Sequence, residues 1–269
     1  MELVIHRAAT YTGKLLSCWT AWKRILLPCA LLLIWQGIAD SGLVKSVLLP
    51  SPIQVLEAMG IMVSSGELVD HLGVSILRVL EGFALAAILG VGLGMGLGIF
   101  PIMFELMDGT IQLLRPIPPI AWLPMAILWF GIEEGSKIFI ITLGAFFPIF
   151  INVLDGIRQT DHKFVELSKV LEVPQSKFIM KVVIPGALPF IISGLRVGLG
   201  YAWMCVVAAE LSAGMKGIGF MLTDARSLAQ TDKVFVGMLS IGIIGQCMDS
   251  MLRIMEKKII KWRGAFTGV

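Results

Sequence analysis

Very few side chains in this chain could do chemistry. Arg196, Trp203 and Glu210 recur at seven-residue intervals inside a long apolar run. At about 3.6 residues per turn they share one stripe of one helix. An arginine at mid-bilayer costs about 2.5–3.5 kcal/mol on insertion scales, so it must face protein or water. Two readings follow. Either the stripe lines a solute path, with Arg196 favouring an anion, or Arg196 forms an internal ion pair with Asp249 or Glu210 that fixes helix packing. Other chemistries fit poorly. The run Gly131-Ile132-Glu133-Glu134-Gly135-Ser136-Lys137 approaches a phosphate-binding loop, but its spacing is wrong and two carboxylates stand where phosphates would sit. His6, His71 and His162 are far apart, so no metal site is expected, and no nucleophile, base and orienter assemble on one side. Cys18, Cys29, Cys205 and Cys247 show no CxxC spacing and read as small hydrophobes.

A second group of candidates lies in the polar segment 155–185. Asp161 can cap a short helix over 161–172 with Phe164, Leu167/Ser168 and Leu171 on one face and Lys163, Glu166 and Lys169 on another. Pro174 stops it, and a second short helix, 176–183, leads to Ile184-Pro185-Gly186. A bare linker needs only a few residues. Two amphipathic helices here serve either to lie on lipid headgroups or to dock a partner, with the apolar face in a groove and the charges on its rim.

The elements that must position these residues are membrane helices. The chain has 269 residues, of which 57% are hydrophobic and 15% charged, against about a quarter charged in soluble domains. A net charge of only +3 argues against a nucleic-acid binder. About 20 mostly apolar residues cross the bilayer as a helix. Six stretches are expected to do so: 25–39, 82–104, 116–132, 138–154, 187–209 and 234–252. No cleavable signal peptide is expected at the N-terminus. Lysines and arginines fall fifteen to one side and five to the other, with Arg115 counted among the fifteen. This bias puts both termini and the 155–181 loop in the cytoplasm. Between spans one and two, Ser51-Pro52-Ile53-Gln54 reads as a capping box. The helix it opens is expected to show Ile53, Leu56, Met59 and Val63 on one face, and Arg78 is placed to pair with Glu81. In span two, Gly90/Gly94, Gly92/Gly96 and Gly94/Gly98 read as close helix packing.

Glu166-Leu167-Ser168, then Glu172, then Val182-Val183-Ile184-Pro185 resemble in spacing the EAA loop of ATP-binding-cassette (ABC) importer permeases, with its E-A-A, Gly and I-x-L-P. Leu49-Pro50-Ser51-Pro52, Leu114-Arg115-Pro116-Ile117-Pro118-Pro119, Trp129-Phe130-Gly131-Ile132, Gly144-Ala145-Phe146-Phe147-Pro148 and Gly217-Ile218-Gly219-Phe220 look like the nitrate/taurine/alkanesulfonate/bicarbonate branch. The resemblance implies an all-α membrane protein with a type I ABC importer permease fold and cytoplasmic coupling helices. Its domains would be 1–73 (tail, first span and outer helix), 74–254 (permease domain) and 255–269 (cytoplasmic tail).

The resemblance also implies no catalysis and no cofactor on this chain, with ATP and Mg on the ATPase. The partners would be a second permease subunit, as a homodimer, two cytoplasmic ABC ATPases, an extracytoplasmic solute-binding protein and the inner-membrane bilayer. Coupling would fall to Asp161, Phe164, Glu166, Leu167, Ser168, Lys169, Leu171, Glu172 and Pro185. The branch moves small anions, although related permeases carry vitamin precursors. A gradient-driven secondary transporter remains the rival class. Two alanines of the motif are Leu167 and Ser168 here, and Glu172 stands at the glycine. Glu172 implies either a junction that stays helical or a charge that selects the ATPase partner.

Overall fold

The structure is a computed structural model that describes residues 26–260. The tail bearing His6, Cys18, Arg7, Lys14, Lys23 and Arg24, the expected lack of a signal cleavage site, and the final cations Lys261 and Arg263 lie outside the described residues. Among the described residues every regular element is helical. In chain order these are α1 (Leu26–Asp40), α2 (Pro52–Ser64), α3 (Glu67–Ile99), α4 (Pro101–Leu114) and a 3₁₀ turn (Pro119–Trp122) running into α5 (Leu123–Phe130). There follow α6 (Glu134–Arg158), α7 (His162–Val170), α8 (Gln175–Phe178), α9 (Ile184–Ala213), α10 (Ile218–Ser227) and α11 (Thr231–Ile259).

Four helical stretches are long and apolar enough to cross a membrane: α3, α6, the continuous run Gln175–Ala213 and α11. A fifth crossing is possible if α4 and Pro119–Phe130, which meet at 86°, count as one broken span. The expected six are therefore not reached among the described residues. The stretch 25–39 corresponds to α1, which is apolar but too short to count as a crossing. Span two begins earlier than 82 and ends before Pro101, where the chain turns into α4. Span three is not straight because Pro116, Pro118 and Pro119 withhold amide donors and fix φ at the bend. Leu33, Ile88, Ile102, Leu106 and Leu128 are each more than 70% exposed. Such side chains around the outside fit lipid, not water.

The core is a three-helix seam in which α6 packs between α3 and α9. Val79 and Ala86 of α3, Ile141, Ala145, Ile149 and Val153 of α6, and Leu199, Ala202 and Val206 of α9 are buried together. Close approach rests on small residues. A Cβ added at Gly82, Gly90, Gly94 or Gly98 would lie 2.6–2.9 Å from Ile141, Ile149, Val153 or Ile157 side chains of α6. Gly92 and Gly96 have nothing within 4 Å. The glycine ridge thus runs 82, 90, 94, 98, and the expected Gly92/Gly96 pair is not part of it. In lipid, where apolar surface gains little by leaving the solvent, this intimacy supplies the dispersion contacts that hold helices together.

The capping box at α2 forms as expected. Gln54 N donates to Ser51 Oγ at 3.3 Å, and Ser51 N donates to Gln54 Oε1 at 2.9 Å. The buried face of α2, however, is Val55, Ala58 and Met62, packed on Ile218, Met221 and Val236, while Ile53, Leu56 and Val63 are exposed. The helix is apolar on nearly every side, so periodicity could not choose its contact face.

Candidate functional site

Two polar regions stand at opposite ends of α6. At its N-terminal end is a buried cluster. Arg78, 4% exposed, sends Nε and Nη2 to the two oxygens of Glu134, the latter at 2.6 Å. Its Nη1 donates to Glu210 Oε1 and to the Lys216 carbonyl, both at 2.7 Å. Glu210 also accepts from Ser75 Oγ at 2.8 Å and from Gly219 N at 2.9 Å. Ser75 Oγ in turn accepts from Ile218 N at 2.9 Å, and Gly217 N donates to His71 Nδ1 at 3.1 Å.

Lys137, also buried, donates to the carbonyls of Ile132 at 3.3 Å and Glu133 at 3.1 Å and lies 3.7 Å from Glu134. The cluster ties α3, α6, α9 and the 214–219 turn into one knot. Gly217 sits at φ 114, and a Cβ there would collide with the Glu210 carboxylate, so only glycine fits. The expected Arg78–Glu81 pair is not formed, and Glu81 is exposed. A local i,i+3 pair adds a few tenths of a kcal/mol, whereas two carboxylates and a carbonyl saturate the buried guanidinium.

The stripe on α9 is engaged inside the chain at all three positions. Arg196 Nε and Nη2 donate to Asp249 of α11 at 2.6 and 3.2 Å, with Glu256 3.7 Å from Nη1. Arg253 Nη2 also reaches Asp249 at 3.0 Å. Trp203, buried, donates its indole N–H to the Ile241 carbonyl at 3.0 Å. Glu210 belongs to the cluster above. The seven-residue spacing did place the three on one stripe, and that stripe faces α11 and α3.

At the other end of α6 the chain leaves the bundle. Asp161 Oδ1 accepts from Lys163 N at 2.9 Å and caps α7. Val165 and Ser168 turn inward over a cleft of about 590 Å³ that also meets Arg158, Phe178 and Val183. Phe164, Leu167, Val170 and Leu171 are all more than 50% exposed. Glu166 and Lys169 are exposed and do not pair with each other, and Glu166 makes no ion pair with any described residue.

Helix α7 ends by a specific device. Glu172 N donates to Lys169 O at 3.2 Å and Val173 N to Ser168 O at 2.9 Å, the paired bonds of a Schellman cap. Glu172, at the C′ position, has φ 48, the left-handed conformation that favours glycine there. The possibility of a junction that stays helical is thereby corrected: the turn is made as a glycine would make it, with glutamate bearing the strain. The chain re-enters the bundle through α8 and a π-helical turn, Ile179–Val183, that ends two positions before Pro185. The wider turn accommodates a proline that has no amide to donate and whose ring crowds the preceding turn.

A bundle of long apolar helices with a short charged helix held outside one end is the architecture of a transport permease. A family model described as "Binding-protein-dependent transport system inner membrane component" matches residues 86–261. The chain belongs to that family and is an ABC importer permease, a multi-pass membrane protein.

Among its relatives, the putative aliphatic sulfonates transport permease protein SsuC of Bacillus subtilis is 43% identical, over 91% of this chain and 89% of its own length. The taurine transport system permease protein TauC of Escherichia coli is 35% identical, over 87% of each. The nitrate import permease protein NrtB of Synechocystis is 35% identical, over 86% of each. Among solved structures, a chain from inward-facing conformations of the MetNI methionine ABC transporter superposes with a TM-score of 0.59 at 15% identity, covering 69% of this chain and 92% of that one. The fold is therefore the type I importer permease fold. A gradient-driven secondary transporter is not favoured.

Proposed function

We propose that this permease forms the path for a small anion (an alkanesulfonate or taurine, nitrate or bicarbonate) and is driven by a cytoplasmic ATPase docked on α7. Two copies would form the path, an extracytoplasmic binding protein would deliver the solute, and both termini would face the cytoplasm. ATP and Mg would be held by the ATPase.

One observation carries the docking reading. Helix α7 exposes Phe164, Leu167, Val170 and Leu171 beside an unpaired Glu166, yet it is capped at both ends by Asp161 and the Glu172 turn. A helix made rigid but left apolar on its outer face suits a groove in a partner, with Glu166 and Lys169 at the rim. Asp161 and Glu172 hold the shape, and Ser168 holds the inner side. Pro185 marks where motion would enter α9. Closure of the ATPase pair would push α7 as a unit against α6 and α9. Swinging a permease from 1:99 to 99:1 between two states takes about 5.5 kcal/mol of differential binding, a scale that ATP binding supplies.

For Arg196, Trp203 and Glu210, the hydrogen bonds favour fastening over lining a path. Glu166→Arg tests the docking reading. The variant should insert and fold normally yet retain the ATPase at least tenfold more weakly in a pull-down, and retention at wild-type strength would refute the role.

A further inference from the structure

Arg115 was counted with the loop cations in the charge bias, but the structure puts it elsewhere. It stands at the 86° bend between α4 and the Pro119–Phe130 segment, in a pocket of about 300 Å³ against Gly144, Phe147 and Pro148 of α6 and Val197 and Tyr201 of α9. Those positions fall in the middle third of α6 (Glu134–Arg158) and of α9 (Ile184–Ala213). The pocket is therefore near mid-bilayer. Arg115 is exposed, and its backbone N–H caps α4 by donating to the Ile111 carbonyl at 3.0 Å. Its guanidinium makes no hydrogen bond or ion pair with any described residue, unlike Arg78 and Arg196, whose guanidinium groups are bound by carboxylates.

The backbone points the same way. Pro116 has no amide for the Gln112 carbonyl, and Ile117 N turns back to Leu114 O at 3.2 Å. At membrane depth, broken backbone and an uncompensated charge persist only against protein or a water-filled cavity.

We propose that this pocket is the solute contact of the transport path and takes a small organic oxyanion, with Arg115 holding the anionic head. This rests on the anion reading above and names the site for it. A guanidinium grips an oxyanion by two parallel N–H bonds. Tyr201 supplies a hydroxyl. Asn152, also lining the pocket, donates one amide hydrogen to the Pro148 carbonyl at 2.8 Å and keeps the other. Ile117, Phe147 and Val197 offer apolar walls for a short alkyl tail, so a sulfonate with a few carbons fits both halves of the lining.

The test uses the full complex of permease, ATPase and binding protein in proteoliposomes, with labelled methanesulfonate and butanesulfonate as probes. Arg115→Gln should lower uptake of both at least tenfold while ATPase co-purification stays at wild-type level, and Arg115→Lys should restore part of it. Val197→Trp, which fills the apolar wall, should lower butanesulfonate uptake at least fivefold more than methanesulfonate uptake. Uptake by Arg115→Gln within twofold of wild type would overturn the site. Should Arg115→Gln fail to assemble, Tyr201→Phe decides: a threefold or larger loss supports the pocket and unchanged uptake overturns it. Equal losses of both probes in Val197→Trp would overturn the tail contact, as would a wild-type complex that moves nitrate but neither sulfonate. A wild-type complex that moves no anion would sink the substrate class itself, a result separate from failure of the site.

Discussion

The two ends of α6 treat their polar groups in opposite ways. At one end short hydrogen bonds join Arg78 to Glu134 and Glu210, Lys137 stands 3.7 Å from Glu134, and three of the four are nearly inaccessible. At the other end Glu166, Lys169, three large apolar side chains of α7 and its C-cap Leu171 face outward with little to hold them. A buried charge without a partner is costly, so the first region can be stable only when saturated from within. The second has the character of a surface awaiting another molecule. Internal satisfaction marks structure, and its absence on a well-capped element is what the proposed docking face requires.

The contrast can be broken at its structural end first. Glu210→Ala removes one partner and leaves Arg78 with a buried, undercompensated charge. The expected loss is about 3–5 kcal/mol, read as a lowered melting temperature of the detergent-solubilised permease. A stable variant would mean that water already reaches the cluster. Next, Gly94→Leu forces a side chain into the α3–α6 seam, where a Cβ alone would lie 2.8 Å from Val153. Overpacking there should cost about 1–3 kcal/mol or more. Gly92→Leu, on the open side of the same helix, should leave the melting temperature nearly unchanged.

At the docking end the direction reverses. Phe164→Ala should leave the melting temperature of the isolated permease within a degree or two, yet weaken ATPase binding by about 2 kcal/mol, measured as a dissociation constant. Equal effects on both readouts would erase the distinction between the two ends. The smallest effect is expected at the cap. Glu172→Gly relieves a left-handed glutamate worth about 1–2 kcal/mol and adds about 0.5–1 kcal/mol of backbone entropy cost. A net gain of at most about 1.5 kcal/mol should appear as slower amide exchange across α7.

Much of this was readable in the residue order. The capping box at Ser51, the Asp161 cap, the common stripe of Arg196, Trp203 and Glu210 and the seam of Gly90, Gly94 and Gly98 all follow from local spacing, and all are present. The missed features share a cause. Arg78 finds Glu134 and Glu210 across 56 and 132 residues of chain, and no local pattern ranks such partners above Glu81. The lone hint was that Glu210, in an apolar run, needed some cation. A proline-rich stretch reads as a loop, so Arg115 counts with the loop cations, while the fold bends it against the middle of α6 and α9.

The residue order alone determined that this is a helical membrane protein and that a short capped polar helix lies within 161–172. Hydrophobicity and caps act over one or two turns, so they are written locally. Only the tertiary structure decided which charges are neutralised within the chain, which face of α2 is buried, and where the broken span leaves a cation uncovered. Those outcomes depend on three helices meeting at ångström range, where the energy belongs to the junction and not to any single segment.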